Sequence, residues 1–414
     1  MNDTQANDTR KPGMLSVDDA LAHLLAHATP LDDSEWVATE NALGRVLAVA
    51  QISGVTVPPF DNSAMDGYAV SMADISAPRL RVSQRIAAGS ISQPLETGTA
   101  ARIFTGAPIP KHCDAVVMQE NCHIEDDQIV IDKLPKAGEN IRRAGEDIAD
   151  GAEILKAGIP LRPQEMGLAA SCGLARLPVY RKLRVATFFT GDEIVMPGQA
   201  LQSGQIYNSN RFVLAGFLES LGCEVIDLGI VPDNFDATVK ALQAAAAQAD
   251  LILTSGGVSV GEEDHVKAAV AEIGKIDLWK IAVKPGKPLA FGTAAGTPFI
   301  GLPGNPVSAF VTFCIFVRPF ILRRQGVAQV APPYYPVRAA FAWSKPDGKR
   351  REFLRARMES DENGLPVAQI FPHQGSGVLT SCTWGDGLIE VPAATPIQHG
   401  ETVKFLPFSG LFCR

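Results

Sequence analysis

LRVATFF (183–189), EVIDLGIV (224–231), DLILT (250–254) and TPFIGL (297–302) are four apolar runs separated by helix-forming segments, and their order decides the fold. Short apolar runs bounded by Gly, Pro and Asp read as buried strands. The segments near 210–221, 236–248 and 263–273 carry helical character, and LWKIAV (278–283) adds a further strand. A long helix is expected after Pro306, whose ring suits a first helical turn. Strands alternating with helices imply βαβ units, so residues 181–330 are expected to form a doubly wound parallel sheet.

Outward from this centre the pattern changes twice. Residues 15–28 (LSVDDALAHLLAHA) space Leu21, Leu24 and Leu25 as a helix face, with Ser16 and Asp19 placed like a capping box. From 51 to 149 short β-rich runs alternate with Gly and Pro, which reads as a compact β-rich domain. Residues 150–180 return to mixed helical character, and we expect them to join 14–50 as one discontinuous domain. After 331, YYPVRAAFAW, EFLRARM, GLPVAQIF and TVKFLPF predict a small antiparallel sandwich or barrel over 331–414. The fold class expected is multidomain α/β.

Composition narrows the function. The 414 residues are 46% hydrophobic and 20% charged, ordinary for a folded chain, and exceed what one core usually organises. A net charge of −8 offers no basic field for nucleic acid or an acidic membrane. Seven cysteines without a CxxC pair read as free thiols in a reducing cytoplasm, not as a disulfide framework. The polar start MNDTQANDTRKPG has no apolar signal-peptide core and reads as a flexible tail. Val307–Val317 is interrupted by Arg318 and Pro319, short of a membrane span, so a buried helix is expected.

Ligands of doubly wound sheets gather beyond the carboxyl ends of the strands. The loops expected there are heavily loaded: Thr190-Gly191-Asp192-Glu193, Pro232-Asp233, SGGVSVGEED (255–264) and GLPGNP (301–306). In the third, Gly256, Gly257 and Gly261 allow close backbone approach to an anion, with Ser255 just before them and Ser259 among them. Its spacing mimics a P-loop, but Glu262 and Glu263 stand where Lys and Ser or Thr belong. Carboxylates beside phosphate call for a hard cation between them, which suggests Mg2+. GLPGNP supplies Pro303, Gly304, Asn305 and Pro306 as a rigid anion-binding turn with exposed N–H groups. Asp233 has an alternative reading as a helix cap. In WKIAVKPGKP, Lys280 and Lys284 fall on one face of the predicted strand and Lys287 in its turn, suiting an oxyanion. The β-rich segment holds PPFDNSAMDGYA, FTGAP and RRAGED, none of which names a reaction alone. The seven histidines lack metal-ligand spacing.

DNSAMDGYA, TGAP, RRAGED, TGDE, SGGVSVGEED, KPGKP and GLPGNPVSA, in this order, closely resemble the MoeA-like molybdopterin molybdenumtransferases, relatives of the gephyrin E domain. The resemblance runs from about residue 15 to the end. It implies insertion of molybdate into adenylylated molybdopterin with release of AMP, dependent on a divalent cation. It also implies four subdomains and a homodimer whose site lies between domain III of one subunit and domain II of the other. On this basis Glu193, Asp233 and Asp264 are substrate or cation ligands, and Asp61, Thr105 and Asp147 the facing side. Pro303, Pro306, Lys280, Lys284, Arg355 and Ser376 match the molybdate and substrate region, with Arg357 an alternative to Arg355. The related molybdopterin adenylyltransferases resemble the central domain alone, and a scaffold would not need the acidic and lysine set. Asn208 departs from an Asp common in the family, which argues against a metal role there.

Overall fold

The apolar runs form strands β1 (Arg184–Thr190), β2 (Glu224–Val231) and β3 (Leu251–Ser255), followed by β4 (Gly274–Lys280), β5 (Pro288–Ala294) and β6 (Thr297–Leu302). They lie side by side in the order β2-β1-β3-β6-β5-β4. The computed structural model describes residues 14–75, 79–257 and 265–412. Phe188, Ile252 and Phe299 on one face pack with residues of helices Phe235–Ala246 and His265–Ile273. Phe189, Leu253 and Ile300 on the other meet residues of Val17–Ala26, Ser209–Ser220 and Pro306–Arg324. The central strands are therefore apolar along their whole length, the signature of a sheet covered twice.

Two expectations need correction. The pairs β2–β1, β1–β3 and β3–β6 are parallel, but β6–β5 and β5–β4 are antiparallel, so the sheet is mixed. The cause is the two-residue turn Ala295-Gly296, with φ of 47° and 84°, which joins β5 to β6. Positive φ at both positions makes a tight hairpin, and a parallel crossover needs a far longer connection. The run LWKIAV is also not one strand. β4 ends at Lys280, and Val283–Lys284 crosses to pair in parallel with Arg351–Glu352. Leu15 wedges at this break, its N–H donating to Lys280 O at 2.9 Å and its carbonyl accepting from Ala282 N at 2.8 Å. Lys280 and Lys284 consequently belong to different sheets.

The helix Pro306–Arg324 is the core element expected, but Arg318 and Pro319 do not end it. A π-helical turn over Phe313–Val317 precedes Pro319. The wider turn absorbs the bond that a residue without N–H cannot make. Among the described residues this one helix is long and apolar enough to cross a membrane, and it is largely buried in the core.

Elsewhere, Ser34–Ala38 pairs with Arg176–Tyr180 and Gln51–Ile52 with Glu153–Leu155, bringing the two flanks of the β-rich segment together. Between them lies a six-stranded sheet running from Gly67–Val70 to Gln128–Ile131. At the carboxyl end, Arg351–Ser360, Pro366–Ile370, Tyr335–Ala339, Thr402–Pro407 and Gly387–Val391 pair in turn, and the last pairs back with the first. This is a closed small barrel. It is not purely antiparallel, since Tyr335–Ala339 and Pro366–Ile370 run parallel.

Candidate active site

β1 connects to β2 on one side of the sheet, and the chain then crosses to β3 on the other. Loops diverge at such a reversal and leave a crevice. A cavity of about 800 Å3 opens there, lined by Thr190, Glu193, Ser255–Gly257, Pro303–Pro306, Lys284 and Lys287, with Arg350 and Gln374–Ser376 from the barrel.

Glycine shapes this crevice at two points. Gly191 has a φ of +141°, and a Cβ there would lie 2.5 Å from the Glu193 carboxylate, so the side chain folds back over a residue that must lack one. Gly256, at φ +96°, follows β3 closely enough to donate its N–H to Leu302 O at 3.1 Å. The loops after β3 and β6 are then tied by side chains. Ser255 Oγ donates to Pro303 O at 2.9 Å, while Asn210 Nδ2 donates to Ser255 Oγ at 2.8 Å and Gly304 O at 2.7 Å. Asn210 was not among the expected site residues; a polar side chain that ties two loops carries no local signature.

The anion cradle expected at GLPGNP is smaller than its sequence implies. Pro306 has no N–H, and Val307 N donates to Ser376 O at 2.9 Å, which anchors the barrel loop to the helix start. Asp233 is not the helix cap, because Asn234 Oδ1 accepts from Ala237 N at 2.9 Å. Asp233 Oδ1 instead accepts from Thr190 Oγ1 at 2.9 Å, one residue behind the cavity wall.

Lys284 Nζ lies 2.7 Å from Glu352 Oε1, whereas Lys280 ends β4, is exposed and does not line the cavity. Arg355 is fully buried, and burial pushes its guanidinium down to about 10. It donates to Ser381 Oγ at 3.0 Å, Phe353 O at 3.2 Å and Gly375 O at 3.3 Å, supporting the Gln374–Ser376 loop from behind. Arg357 stacks on Trp384, 4.5 Å from its ring centroid, and is not a wall residue either. The arginine that does line the wall is Arg350, its guanidinium forked onto Asp347 at 2.8 and 2.6 Å. Only the basic run Lys349-Arg350-Arg351 hinted at it.

No described residue of 51–149 lines this cavity. Asp61 accepts from Ala144 N at 2.8 Å and Arg143 Nη1 at 2.6 Å, and these bonds hold its carboxyl below the usual range despite some burial. Thr105 donates its N–H and its hydroxyl to Asp66 Oδ1, each at 2.8 Å. Asp147 is exposed. Ser259, Gly261 and Asp264 lie outside the described residues. Among those described, no group of three His, Cys, Asp or Glu could hold a metal ion, and Glu193 is the one carboxylate lining the cavity. A Mg2+ ion typically takes one or two carboxylates and completes its shell with water and substrate phosphate.

Residues 15–173 match the family described as MoeA N-terminal region (domain I and II), 186–323 the probable molybdopterin binding domain, and 336–408 the MoeA C-terminal region (domain IV). The molybdopterin molybdenumtransferase of Haemophilus influenzae is 43% identical over 96% of this chain and all of its own length. The chain belongs to the molybdopterin molybdenumtransferase family. The family's Nostoc member is 38% identical over 96% of this chain and 94% of its own. The solved molybdopterin biosynthesis moeA protein of Pyrococcus horikoshii superposes with a TM-score of 0.81 at 28% identity, covering 95% of this chain and all of the other. The chain is thus a transferase of molybdenum cofactor biosynthesis, with the family's mixed α/β architecture.

Proposed function

We propose that this cavity takes adenylylated molybdopterin and molybdate, and that molybdate enters the dithiolene as the anhydride is cleaved and AMP leaves. The observation that carries the reading is the convergence of Lys284, Lys287 and Arg350 with Glu193 in one crevice at the strand ends. Ammonium and guanidinium groups make strong, charge-assisted bonds to a tetrahedral dianion, and the substrate brings its own sulfurs. Gly257, Gly304 and Asn305 offer backbone N–H groups to the phosphates, with Ser255 and Gly256 tying the two loops together, Pro303 and Pro306 fixing the turn and Thr190 orienting Asp233.

Glu193, with Asp264 and with Asp233 from behind the wall, would hold Mg2+, which would supply positive charge against the phosphates. Asp61, Thr105 and Asp147 belong to the facing wall, supplied by the second subunit of a homodimer. The division into 14–50 with 150–180, 51–149, 181–330 and 331–414 is part of the same reading, supported by the strand pairings across 34–38 and 176–180.

The test is molybdate-dependent AMP release from adenylylated molybdopterin. Glu193→Ala should lower it about 100-fold, the order expected when one electrostatic group of a site is removed, with the melting temperature unchanged. Undiminished release by the folded variant sinks the assignment.

A further inference from the structure

Both cations that approach the cavity from the joint between sheet and barrel trace back to a single carboxylate. Glu352 follows Arg351 on strand Arg351–Ser360, directly opposite Lys284 in the parallel register. Strand alternation sends its neighbours the other way: Arg351 pairs with Asp18 and Glu390, and Phe353 enters the main core. Glu352 itself is 1% exposed and is not part of the cavity wall. A carboxylate so placed is tolerated only when paired and hydrogen-bonded. Its Oε1 faces Lys284 Nζ at 2.7 Å, and its Oε2 accepts from Trp343 Nε1 at 2.8 Å and Asp347 N at 3.0 Å.

The last bond reaches a second cation. Asp347 opens a turn in which its Oδ1 accepts from Lys349 N and Arg350 N, each at 3.0 Å, while its Oδ2 takes the Arg350 fork. Fixing Asp347 N therefore fixes the turn that aims Arg350. Lys284, 39% exposed at its side chain, would otherwise keep the rotamer freedom that lysine carries in solution.

We propose that Glu352 is the positioning residue of the oxyanion pocket, presenting Lys284 and Arg350 together to molybdate; this rests on the function proposed above. Glu352 touches no substrate. It acts through two cations from two parts of the chain, and it sets their separation.

The experiment is steady-state AMP release by the full-length protein carrying Glu352→Gln, Lys284→Met or both, with molybdate and adenylylated molybdopterin varied separately. Glu352→Gln keeps the shape and an acceptor for Trp343 but removes the charge. It should raise the molybdate KM about tenfold, the scale of one charge-assisted bond. The KM for adenylylated molybdopterin should stay constant, and kcat should change less than about threefold. The double variant should fall short of the product of the two single effects, because the share that acts through Lys284 vanishes with Lys284 and only the share that acts through Arg350 remains.

An unchanged molybdate KM in Glu352→Gln, or effects that multiply in the double variant, would overturn the proposal. So would equal rises in both KM values, which is what a loosened barrel produces. If Glu352→Gln does not fold, Trp343→Phe releases the same carboxylate from its other side. The same molybdate-selective rise is then expected, and its absence is equally decisive. AMP release that shows no molybdate saturation in the unaltered protein would instead remove the underlying functional reading, an outcome visible before any variant is made.

Discussion

Asp250 stands at the foot of β3, the first letter of DLILT, and only 9% of its side chain is exposed. Burial alone would raise its pKa, but bonds from Arg181 at 2.6 and 2.9 Å and from Arg184 N at 2.9 Å outweigh it and hold the carboxyl well below the usual range. A depressed folded value stabilises the fold fully above the unfolded pKa of about 3.9, and the contribution wanes as pH falls from there toward the folded value. Asp250→Asn should cost about 2 kcal/mol at pH 7, less than a fully buried pair because both arginines keep some solvent. Denaturant midpoints should show the gap to the unaltered protein narrowing below about pH 4; a gap constant with pH would refute the carboxylate account. The candidate site was similarly legible only in part. Glu193 and Lys287 followed from loop position, because the end of a strand fixes where a loop emerges, whereas Lys284 was expected on one strand face with Lys280 and reaches the cavity from the other sheet. Arg355 and Arg350 did not, since which arginine of RREFLRAR faces the cavity depends on how the barrel closes.

The long helix shows what a single element adds to this. Gly326 follows it with a φ of +83°, its N–H donating to Arg323 O at 3.0 Å and Val327 N to Leu322 O at 2.9 Å. That is the Schellman ending that favours glycine. Here a second constraint is added, because a Cβ at 326 would lie 2.2 Å from Tyr180 on strand Arg176–Tyr180. Gly326→Ala should therefore destabilise by about 2–4 kcal/mol, left-handed strain plus overpacking, and lower the unfolding midpoint accordingly. An unchanged midpoint would mean the ring moves aside freely. Elements of this length were readable because their apolar spacing persists over many residues. The antiparallel β5–β6 hairpin was missed because Ala295-Gly296 is a weaker turn signal than Asn-Gly or Asp-Gly. The break inside LWKIAV was missed because Leu15, more than 260 residues away, causes it.

At the scale of the whole molecule, the cavity draws its walls from residues 190–308 and 350–376, while Asp61, Thr105 and Asp66 belong to the β-rich segment 51–149. In the proposed homodimer, the 51–149 segment of either subunit would complete a given cavity with the same sequence. Complementation between subunits separates the two. In a homodimer with sites shared across the interface, a subunit carrying Glu193→Ala and one carrying Thr105→Ala form a mixed dimer in which one site collects both defects and the other none. After subunit exchange at equal amounts, half the dimers are mixed and each keeps one intact site of two, so about a quarter of full AMP release should return. Were each site built within one chain, every site in the mixture would carry a defect and nothing would return. The recovered fraction, measured against the two single variants alone, therefore decides whether Thr105 serves its own chain or its partner.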